Sequence, residues 1–292
     1  YLFPIVIVIL WGQIRLTNVS SIRTVKIASI NIPSSDMQHI FNDQPDSINE
    51  KINSSFLNNC EIAAKSEAKF VFGNEIMLNL NSDKEAEYIE KAKSAAVNNQ
   101  IYIGLPLLIY PIENPDVRPM NKITWISPDG KILFEYYKAK PTPGEGNYGD
   151  GVIRYFDSPY GRISSVICFD MDFHELIQQV NEMNVDIMLV PGNDWKEITP
   201  YHTYAASFRA IEQGFNLVRS ASRGLSASFN YKGEVLSYQN YFNTKDEIFY
   251  SDVPMKGQQT IYAVIGDSFA WASFLFFVLV SIFVFRKKKK AV

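Results

Sequence analysis

Hydrophobic and polar positions alternate with two different periods along the chain, and these periods separate strands from helices. Residues Thr24 to Asn31 alternate with period two and are rich in β-branched side chains, which is typical of a strand. From Ser47 to Ala68 the apolar residues recur at helical spacing, and the short apolar run Phe70 to Gly73 follows directly. The pattern therefore predicts a strand, a helix and a second strand that leads into Asn74 and Glu75.

Predicted strands and helices continue to alternate through the rest of the domain, and a Ser-Pro-Asp-Gly turn at 127–130 predicts a hairpin. The other predicted helices are Lys84 to Asn98, Phe173 to Met183 and Tyr201 to Gln213. The other predicted strands are Ile101 to Leu105, Lys122 to Ile126, Lys131 to Tyr136, Ile163 to Cys168, Asp186 to Pro191, Asn216 to Ala221, Leu225 to Phe229 and Glu234 to Tyr238. Alternating elements of these lengths predict a layered α/β sandwich in one domain, with helices on its outer faces.

Both ends of the chain are strongly apolar. Phe269 to Phe285 carries no charge and is about long enough for a transmembrane helix, with a buried core helix as the alternative. Residues 1–11 make about half a span, either the end of a transmembrane helix or part of a signal peptide. We therefore predict a membrane segment at 1–11, a globular domain at 12–267, a transmembrane helix at 268–285 and a basic cytoplasmic tail at 286–292. The globular domain then lies at the cell membrane on the extracytoplasmic side.

Charge and cysteine content exclude several classes of function. The net charge is −3 although the tail is strongly basic, so the rest of the chain is acidic and no nucleic-acid partner is expected. The two cysteines, Cys60 and Cys168, are too few for a disulfide framework or a cysteine-based zinc site. The three histidines lie far apart without metal-binding spacing. We therefore expect no metal and no other cofactor.

Cys168 is the strongest candidate for chemistry, because it ends a predicted apolar strand and is followed by polar residues and a helix. At such a strand-to-helix turn, nearby amide groups lower the thiol pKa and donate to a developing oxyanion. The alternative is a buried structural cysteine, which is common in strands.

Three segments resemble, in the same order, the motifs of the carbon-nitrogen hydrolase (nitrilase) superfamily: FVFGNE with Glu75, FEYYKAKPTPGE with Lys138, and VICFDMDFHE with Cys168. Further similar segments are PGNDW at 191–195, FRAIEQG with Arg209 and Glu212, and LVRSASRGLSASFNYKGEV from Leu217. The resemblance covers about Thr24 to Val264 and implies a four-layer αββα sandwich.

The resemblance also implies roles for individual residues. Cys168 would be the nucleophile, Glu75 the general base, and Lys138 the cation that stabilises the tetrahedral oxyanion. A thiolate attacks the carbon of an amide, nitrile or ester to form a covalent acyl-enzyme, which water or an amine then resolves. Lys140 is the rival to Lys138, two residues further along an extended segment.

Two supporting residues are predicted beside this triad. Glu145 corresponds to a second glutamate that positions the lysine and the substrate, or else it is a solvated loop carboxylate. The backbone N–H of Phe169 is the expected oxyanion donor. The other polar candidates receive structural roles: helix capping for Asp170 and Asp172, an ion pair for Arg209 and Glu212, ordinary polar positions for His174 and His202, and a core position for Cys60.

The apolar ends and the closing segment GQQTIYAVIGDSFAW resemble the apolipoprotein N-acyltransferase branch, which moves a fatty acyl chain from phospholipid to a lipoprotein amine. This implies membrane lipid and lipoprotein as partners. The chain departs from that branch at Cys168-Phe169-Asp170, where the motif is Cys-Tyr-Glu, in its PTPGEG loop, and in the short segment between Lys138 and Cys168. A tethered amidase or nitrilase and a catalytically inactive binding domain remain alternatives. The oligomeric state is not indicated.

Overall fold

Two stacked β-sheets form the centre of the computed structural model, which describes residues 2–17, 23–31, 46–113, 116–143 and 145–290. The helices in these ranges are α1 (Leu2–Thr17), α2 (Asp46–Lys65), α3 (Glu85–Asn99), α4 (His174–Ile177), α5 (Gln179–Met183), α6 (Tyr201–Gln213), α7 (Ile261–Ile265) and α8 (Ser268–Lys290). The strands are β1 (Thr24–Ile30), β2 (Phe70–Gly73), β3 (Leu78–Asn81), β4 (Tyr102–Tyr110), β5 (Met120–Ile126), β6 (Ile132–Tyr137), β7 (Tyr155–Ser158), β8 (Gly161–Ser165), β9 (Ile187–Asn193), β10 (Asn216–Ser222), β11 (Leu225–Phe229), β12 (Val235–Asn240) and β13 (Ile248–Pro254).

The first sheet has seven strands in the order β13-β1-β2-β4-β5-β6, with β3 also paired to β4, and the second has six in the order β12-β11-β10-β9-β8-β7. Strands joined through helices pair in parallel, such as β1 with β2 and β9 with β10, because a helix returns the chain to the same end of the sheet. Strand β13 returns from the end of the domain to pair antiparallel with β1, from Thr24 opposite Pro254 onward.

Burial divides the domain into the four predicted layers. One apolar cluster fills the space between the sheets, with Phe72 and Trp125 from the first sheet packed against residues of the second such as Leu189. The other cluster joins the outer face of the first sheet to α2 and α3. Helix α6 covers the second sheet with small buried residues, including Ala206 and Ala210. Both faces of the central strands are covered, so every residue of β2 and β10 is buried, including polar ones such as Asn216 and Arg219.

The first sheet is interrupted at the place where Glu75 lies. Strand β4 pairs with β2 up to Gly104 and then with β3 from Leu107, so the chain between β2 and β3 leaves the ladder opposite Leu105 and Pro106. Proline has no backbone N–H, and this interruption lets it lie inside a long strand. We predicted that this strand ends at Leu105, whereas it continues to Tyr110.

Two predicted boundaries near Cys168 were wrong. Strand β8 ends at Ser165 rather than Cys168, because the Ile167 amide donates to the Asp170 carboxylate at 3.1 Å and is thereby directed away from a strand partner. Cys168 opens a 3₁₀ turn, Cys168–Asp172, and the single predicted helix to Met183 is divided into α4 and α5. The short strands β3 and β7 and the edge strand β13 were not predicted.

The chain carries apolar helices at both of its described ends. Among the described residues one helix is long and apolar enough to cross a membrane: the segment Ser268–Arg286 of α8, with a mean hydropathy of 2.3 and none of it buried. Helix α1 runs to Thr17, beyond the predicted limit at residue 11, but its apolar part, Ile5–Ile14, is shorter than a span. The membrane assignment of residues 1–11 stays a prediction, and residues 1, 291 and 292 lie outside the described ranges.

Candidate active site

Glu75, Lys138 and Cys168 come from three separate strand ends and meet at one place. Glu75 follows β2 and Lys138 follows β6, both in the first sheet, whereas Cys168 follows β8 in the second. All three side chains are almost completely buried. The three residue types required for acyl transfer through a thiol are therefore collected between the two sheets, although 63 residues separate Glu75 from Lys138.

The ammonium group of Lys138 lies between two carboxylates. Its Nζ donates to Glu75 Oε1 at 2.7 Å and to the two oxygens of Glu145 at 2.6 and 2.7 Å. The Asn121 side-chain amide donates to both Glu75 Oε1, at 2.8 Å, and Glu145 Oε1, at 2.6 Å. Asn121 therefore holds the two carboxylates together around the lysine.

The charges in this group stabilise one another. Burial disfavours the ammonium form of Lys138, but the nearby charges of Glu75, Cys168 and Glu145 outweigh it and raise the pKa of Lys138 above its usual value. Burial likewise acts to raise the pKa of Glu145, whereas Lys138 and the Thr142 amide lower it below the usual value. Lys138 and Glu145 therefore remain charged over the physiological pH range.

The loop that carries Glu75 is attached to the second sheet. The Asn74 side chain donates to Ser220 Oγ in β10 at 2.8 Å and to Asn31 Oδ1 at the end of β1 at 3.0 Å. Both bonds are buried, which makes them stronger than exposed ones. Asn74 thus sets the position of Glu75 relative to the sheet that carries Cys168.

Cys168 has a backbone conformation that is rare for its residue type. Its φ is +48°, in the left-handed region, where a non-glycine residue is strained by about 1–3 kcal/mol. Its thiol is buried, and burial, reinforced by the negative charge of Glu75, raises the thiol pKa well above its usual value, whereas Lys138 and Arg219 act in the opposite direction. The resting group is therefore a thiol that needs a base before it can attack a carbon.

Asp170 connects the turn that carries Cys168 to the loop that carries Lys138. We had predicted that it caps the following helix, and that prediction was wrong. Its carboxylate accepts from the Ile167 amide at 3.1 Å, the Lys140 amide at 2.7 Å and the Tyr136 hydroxyl at 2.8 Å. Burial raises the pKa of Asp170 to about 6 even though these donors favour the carboxylate. A single buried side chain therefore ties the two loops together.

Replacing Asp170 by Ala is expected to lower the free energy of unfolding by about 2–3 kcal/mol, because buried donors on Ile167 and Tyr136 lose their acceptor. It should also slow alkylation of Cys168 by iodoacetamide, since the turn is no longer held against Lys138. Chemical denaturation and mass spectrometry measure the two effects. Asp157→Ala, at an exposed surface ion pair, is the matched control. Unchanged stability and alkylation in Asp170→Ala would contradict this assignment.

A second buried group of charges lies on the other side of the site. Arg219 of β10 donates to Asp194 Oδ2 at 2.9 Å, to Asp194 Oδ1 at 2.8 Å and to Thr203 Oγ1 at 2.9 Å. His202 Nδ1 lies 2.8 Å from Asp194 Oδ1 and 2.9 Å from Arg219 Nη2. Burial disfavours the charged forms, but Arg219 and His202 hold the pKa of Asp194 well below its usual range. Arg219 Nη2 also lies 3.9 Å from Cys168 Sγ.

Three side chains of this group would suit a metal ion by spacing alone. The ligand atoms of Cys168, Asp194 and His202 lie within 4.8 Å of one another. The Arg219 guanidinium, however, already donates to both Asp194 oxygens and contacts the His202 ring nitrogen. A metal ion would have to displace this buried cation, so the donor set fits an internal guanidinium better than a metal.

A cavity of about 740 Å³ opens onto the Cys168 sulfur. Charged groups line its inner part, including Glu75, Lys138 and Glu145. Its remaining wall is mainly apolar and is formed by Ile76, Leu108, Tyr110, Pro119, Pro143, Phe169, Trp195 and Ile198, with polar groups from Thr142, Asn193, Asp194, His202 and Arg223. Tyr110 and Trp195 are 39 % and 48 % exposed, so the apolar wall extends to the protein surface.

Several candidates named from the sequence lie outside this centre. Lys140 directs its Nζ to the ring of Phe173, 5.0 Å from the centroid, and it does not line the cavity of Cys168. Arg209 and Glu212 form an ion pair of 2.6 Å on α6. Cys60 is fully buried in α2, and burial raises the pKa of its thiol.

The sequence analysis missed Asn121, Asp194, His202 and Arg219. Asn121 shares a strand face with Ile123 and Trp125, and Arg219 shares one with Leu217 and Ala221. Alternation therefore places both on apolar faces, but it does not identify the charged partners that they meet there. Asp194 lies within the similar segment PGNDW, which was the only signal that could have identified it. His202 was predicted to be an ordinary polar residue, yet it is buried and lines the cavity of Cys168.

The sequence matches the carbon-nitrogen hydrolase family over residues 26–272. Apolipoprotein N-acyltransferase of Geobacter metallireducens is 28 % identical over 154 residues, which are 51 % of this chain and 29 % of that protein. The enzyme of the same name from Haemophilus influenzae is 32 % identical over 131 residues, 43 % of this chain and 25 % of that protein. The chain therefore spans less than a third of the length of these relatives.

Solved structures share the fold at much lower identity. An amidase from Nesterenkonia sp. superposes with a TM-score of 0.63 and 14 % identity over 88 % of this chain and 98 % of the amidase. A variant of that amidase, solved after Michael addition of acrylamide at its active-site cysteine, superposes with a TM-score of 0.64 at 13 % identity, over 86 % of this chain and 99 % of the amidase. The predicted resemblance is confirmed: this chain belongs to the carbon-nitrogen hydrolase family and is an enzyme of the nitrilase superfamily.

Proposed function

We propose that the protein is a membrane-bound thiol acyltransferase that carries a fatty acyl group from a phospholipid to the N-terminal amine of a lipoprotein. The observation that carries this proposal is the apolar wall of the Cys168 cavity, which runs from Ile76 and Leu108 to the exposed ring of Trp195. An acyl chain would gain about 0.8 kcal/mol for each methylene group that it buries there. The sequence relatives named apolipoprotein N-acyltransferase support the same substrates.

In the first half-reaction, Glu75 takes the thiol proton of Cys168 and the thiolate attacks the ester carbonyl carbon of the lipid. The Lys138 ammonium group and the Phe169 backbone N–H stabilise the negative charge on the carbonyl oxygen. The adduct collapses to a thioester, the carbon–oxygen bond breaks, and the proton held by Glu75 passes to the departing alkoxide. A lysophospholipid leaves, and Glu75 is again a carboxylate.

In the second half-reaction, the amine of the acceptor attacks the thioester carbonyl carbon. Glu75 takes a proton from the amine as the carbon–sulfur bond breaks, and then returns that proton to the thiolate. The products are an amide and the original thiol. Glu145 keeps Lys138 in place throughout, through two hydrogen bonds of 2.6 and 2.7 Å, and is itself held by the Thr142 amide at 2.8 Å.

We further infer that α8 spans the membrane, with the basic tail from Arg286 onward in the cytoplasm and the catalytic domain outside it. The apolar stretch Ser268–Arg286 begins only 14 residues after β13 ends at Pro254, so the domain would lie close to the bilayer surface. Proximity to the membrane suits an enzyme that takes its acyl donor from the lipid. Protease added to the outer face of an intact cytoplasmic membrane is expected to cleave the domain, whereas the tail should be cleaved only after lysis.

The proposal is tested by incubating the protein in vesicles that contain phospholipid labelled in its acyl chains. Mass spectrometry of the trapped enzyme is expected to find the labelled acyl group on Cys168, and addition of a lipopeptide with a free N-terminal amine should discharge it. Absence of this adduct, together with an adduct from small amides, would refute acyl transfer.

Hydrolysis of a small amide is the second candidate, favoured by the connection between Lys138 and Cys168. In the described part of this connection, the exposed side chain of Tyr148 lines a separate cavity with Lys140 and Leu176 and does not extend the wall beside Cys168. The site therefore has less apolar surface for a lipid than a long inserted loop would provide. Release of ammonia from short-chain amides in the absence of lipid would support this candidate.

A further inference from the structure

Two buried cations approach the reacting sulfur, one from each sheet. Lys138 follows β6 of the first sheet, whereas Arg219 lies within β10 of the second and is 0 % exposed. Arg219 Nη2 is 3.9 Å from Cys168 Sγ, within the range of a hydrogen bond to sulfur. The proposed mechanism gives Lys138 a role in catalysis but gives none to Arg219.

The charge of Lys138 lowers the pKa of Cys168 more than that of Arg219 does, but Lys138 has no N–H left for a hydrogen bond to the sulfur in the resting enzyme. An ammonium group has three N–H donors. The contacts of Lys138 Nζ with Glu75 Oε1 and with both oxygens of Glu145, all at 2.6–2.7 Å, account for three. The sulfur would have to compete with two carboxylates for this cation, and a thiolate therefore needs another donor.

Arg219 is held in the orientation that such a donor requires. Both of its terminal nitrogens donate to Asp194 in a bidentate pair, and Nη1 also donates to Thr203 Oγ1. Bidentate pairing with a carboxylate fixes the plane of a guanidinium, which a single contact would leave free to rotate. Nη2 is thereby kept beside the sulfur. One of its two N–H groups donates to Asp194 Oδ1, and the other lies near both His202 Nδ1, at 2.9 Å, and Cys168 Sγ, at 3.9 Å. When His202 Nδ1 carries a proton and donates it to Asp194 Oδ1, 2.8 Å away, this second N–H is available to the sulfur.

The Asp194 carboxylate opposes the effect of Arg219 on the pKa of Cys168 but does not cancel it. Both charges act on the sulfur, because Arg219 Nη2 lies 3.9 Å from it and an Asp194 oxygen lies within 4.8 Å of it. The effect of Arg219 in lowering the pKa of Cys168 is nevertheless larger than the effect of Asp194 in raising it. The pair is neutral as a whole, yet its net effect on the thiol has the sign of the cation.

We propose that Arg219 is a catalytic residue that binds the Cys168 thiolate, and that Asp194 is the positioning residue that aims it. This inference rests on the proposed function only in taking Cys168 as the nucleophile. When Glu75 removes the thiol proton, the new negative charge lies between the Glu75–Lys138 pair and the guanidinium edge of Arg219. Protonated Glu75 no longer holds Lys138 as a carboxylate does, so one Lys138 N–H is released for the carbonyl oxygen of the substrate. Arg219 then binds the sulfur and Lys138 binds the oxygen.

The test is the pH dependence of Cys168 alkylation by iodoacetamide in the full chain, measured by mass spectrometry from pH 6 to 10 without lipid. The midpoint is the pH at which half of Cys168 is alkylated after a fixed time, which can be measured below the pKa of the thiol. The charged groups that face the sulfur are Glu75, Lys138, Asp194 and Arg219, with His202 beside them. In Arg219→Met the midpoint of alkylation is expected to rise by at least one pH unit, and the rate at pH 7 to fall at least tenfold. Arg219→Lys should recover part of this loss, because it keeps the charge but not the bidentate geometry.

A double variant and two controls separate this role from a structural one. Arg219→Met leaves Asp194 buried without its partner, so Arg219→Met/Asp194→Asn, which removes both charges, keeps the local net charge and favours folding. Arg209→Met makes the same substitution in the partly exposed pair on α6 and should leave the alkylation rate unchanged. Cys60, fully buried in α2, reports folding, because it reacts only when the domain opens.

A midpoint in the double variant equal to that of the unsubstituted protein, with Cys60 still protected, would overturn the proposal and leave Arg219 as a structural partner of Asp194. A raised midpoint in the double variant supports the proposal. The assay contains no acyl donor, so its result is independent of the lipid experiment. A raised midpoint combined with failure of acyl transfer would refute the proposed substrate while the role of Arg219 stands.

Discussion

Replacement of Cys168 by Ala is expected to lower the rate of acyl transfer by at least about a thousandfold, because removing a covalent nucleophile leaves only the catalysis that binding and oxyanion stabilisation supply. Glu75, Lys138 and Arg219 would remain in place, but none of them can carry the acyl group as a thioester. The measurement is the initial rate of transfer from labelled phospholipid to a lipopeptide. It is combined with mass spectrometry of the enzyme, which should no longer find an acyl adduct.

Cys60→Ala is the matched control, since it removes the other thiol of the chain from a buried position in α2. It should keep both the adduct on Cys168 and the rate of transfer. A rate in Cys168→Ala within tenfold of the unsubstituted protein would contradict the assigned nucleophile. An adduct that persists in Cys168→Ala but disappears in Cys60→Ala would move the nucleophile to Cys60.

Replacement of Lys138 by Met is expected to lower both stability and activity. Loss of one member of a buried ion pair typically costs about 3–5 kcal/mol, because the remaining charge is left buried without compensation. Here one ammonium group holds two carboxylates, Glu75 and Glu145, at 2.6–2.7 Å, so the loss of stability should lie at the upper end of this range. Acyl transfer should also fall, by about a hundredfold or more, because a cation aimed at the developing oxyanion is lost.

The stability loss in Lys138→Met should depend on pH, with a sign set by Glu145. In the unsubstituted protein Lys138 keeps the pKa of Glu145 below its usual value, so this group contributes stability above its unfolded pKa that is lost as the pH falls. Without Lys138, burial, which is the largest effect on that pKa, is opposed only by the weaker hydrogen bonds from Thr142 and Asn121, so the pKa of Glu145 should rise. The variant is then more stable at low pH and loses stability as the pH rises. The difference between the two proteins should therefore be smaller at pH 5 than at pH 8.

Lys122→Met is the matched control for this prediction. Lys122 is as buried as Lys138 and also pairs with two carboxylates, Glu85 and Glu135, but these are 24 % and 30 % exposed. Water can solvate them when the lysine is removed, so the loss of stability should be smaller and acyl transfer should be unchanged. Chemical denaturation in detergent at both pH values measures the difference. An equal loss in the two variants would contradict the assignment of Lys138 to a coupled buried centre.

The candidate triad could be identified from the sequence because each member lies in a local pattern. Glu75 follows the short apolar strand Phe70–Gly73, Lys138 follows the strand that ends at Tyr137, and Cys168 follows the buried Val166 and Ile167. Residues that follow neighbouring strands lie at the edges of the sheets. Which of these residues come together therefore depends on the order of the strands. That order was supplied by resemblance to the superfamily, since alternation alone predicts the layers and not which strands are neighbours.

The partners of the triad could not be predicted, because no local pattern marks them. Asn121 and Glu75 are separated by 46 residues, and Arg219 and Cys168 by 51, and each pair is brought together only by the arrangement of the strands. His202 lies on a helix whose polar positions predict exposure, and it is buried because that face of α6 packs on the second sheet. Strand β13 was missed because it pairs with β1 from the other end of the domain, whereas β3 and β7 have only four residues each, too few to show a clear alternation.

By itself the sequence determined the number and type of most elements, the apolar stretch of α8, and the chemistry available at Glu75, Lys138 and Cys168. Hydrophobic periodicity and residue type act over one or two turns of chain, so a linear pattern contains that information. The tertiary structure decided which charges are buried together: Lys138 between two carboxylates, and Arg219 between Asp194 and the sulfur. Burial and distance set the strength of these interactions, and both depend on strands that lie far apart in the sequence.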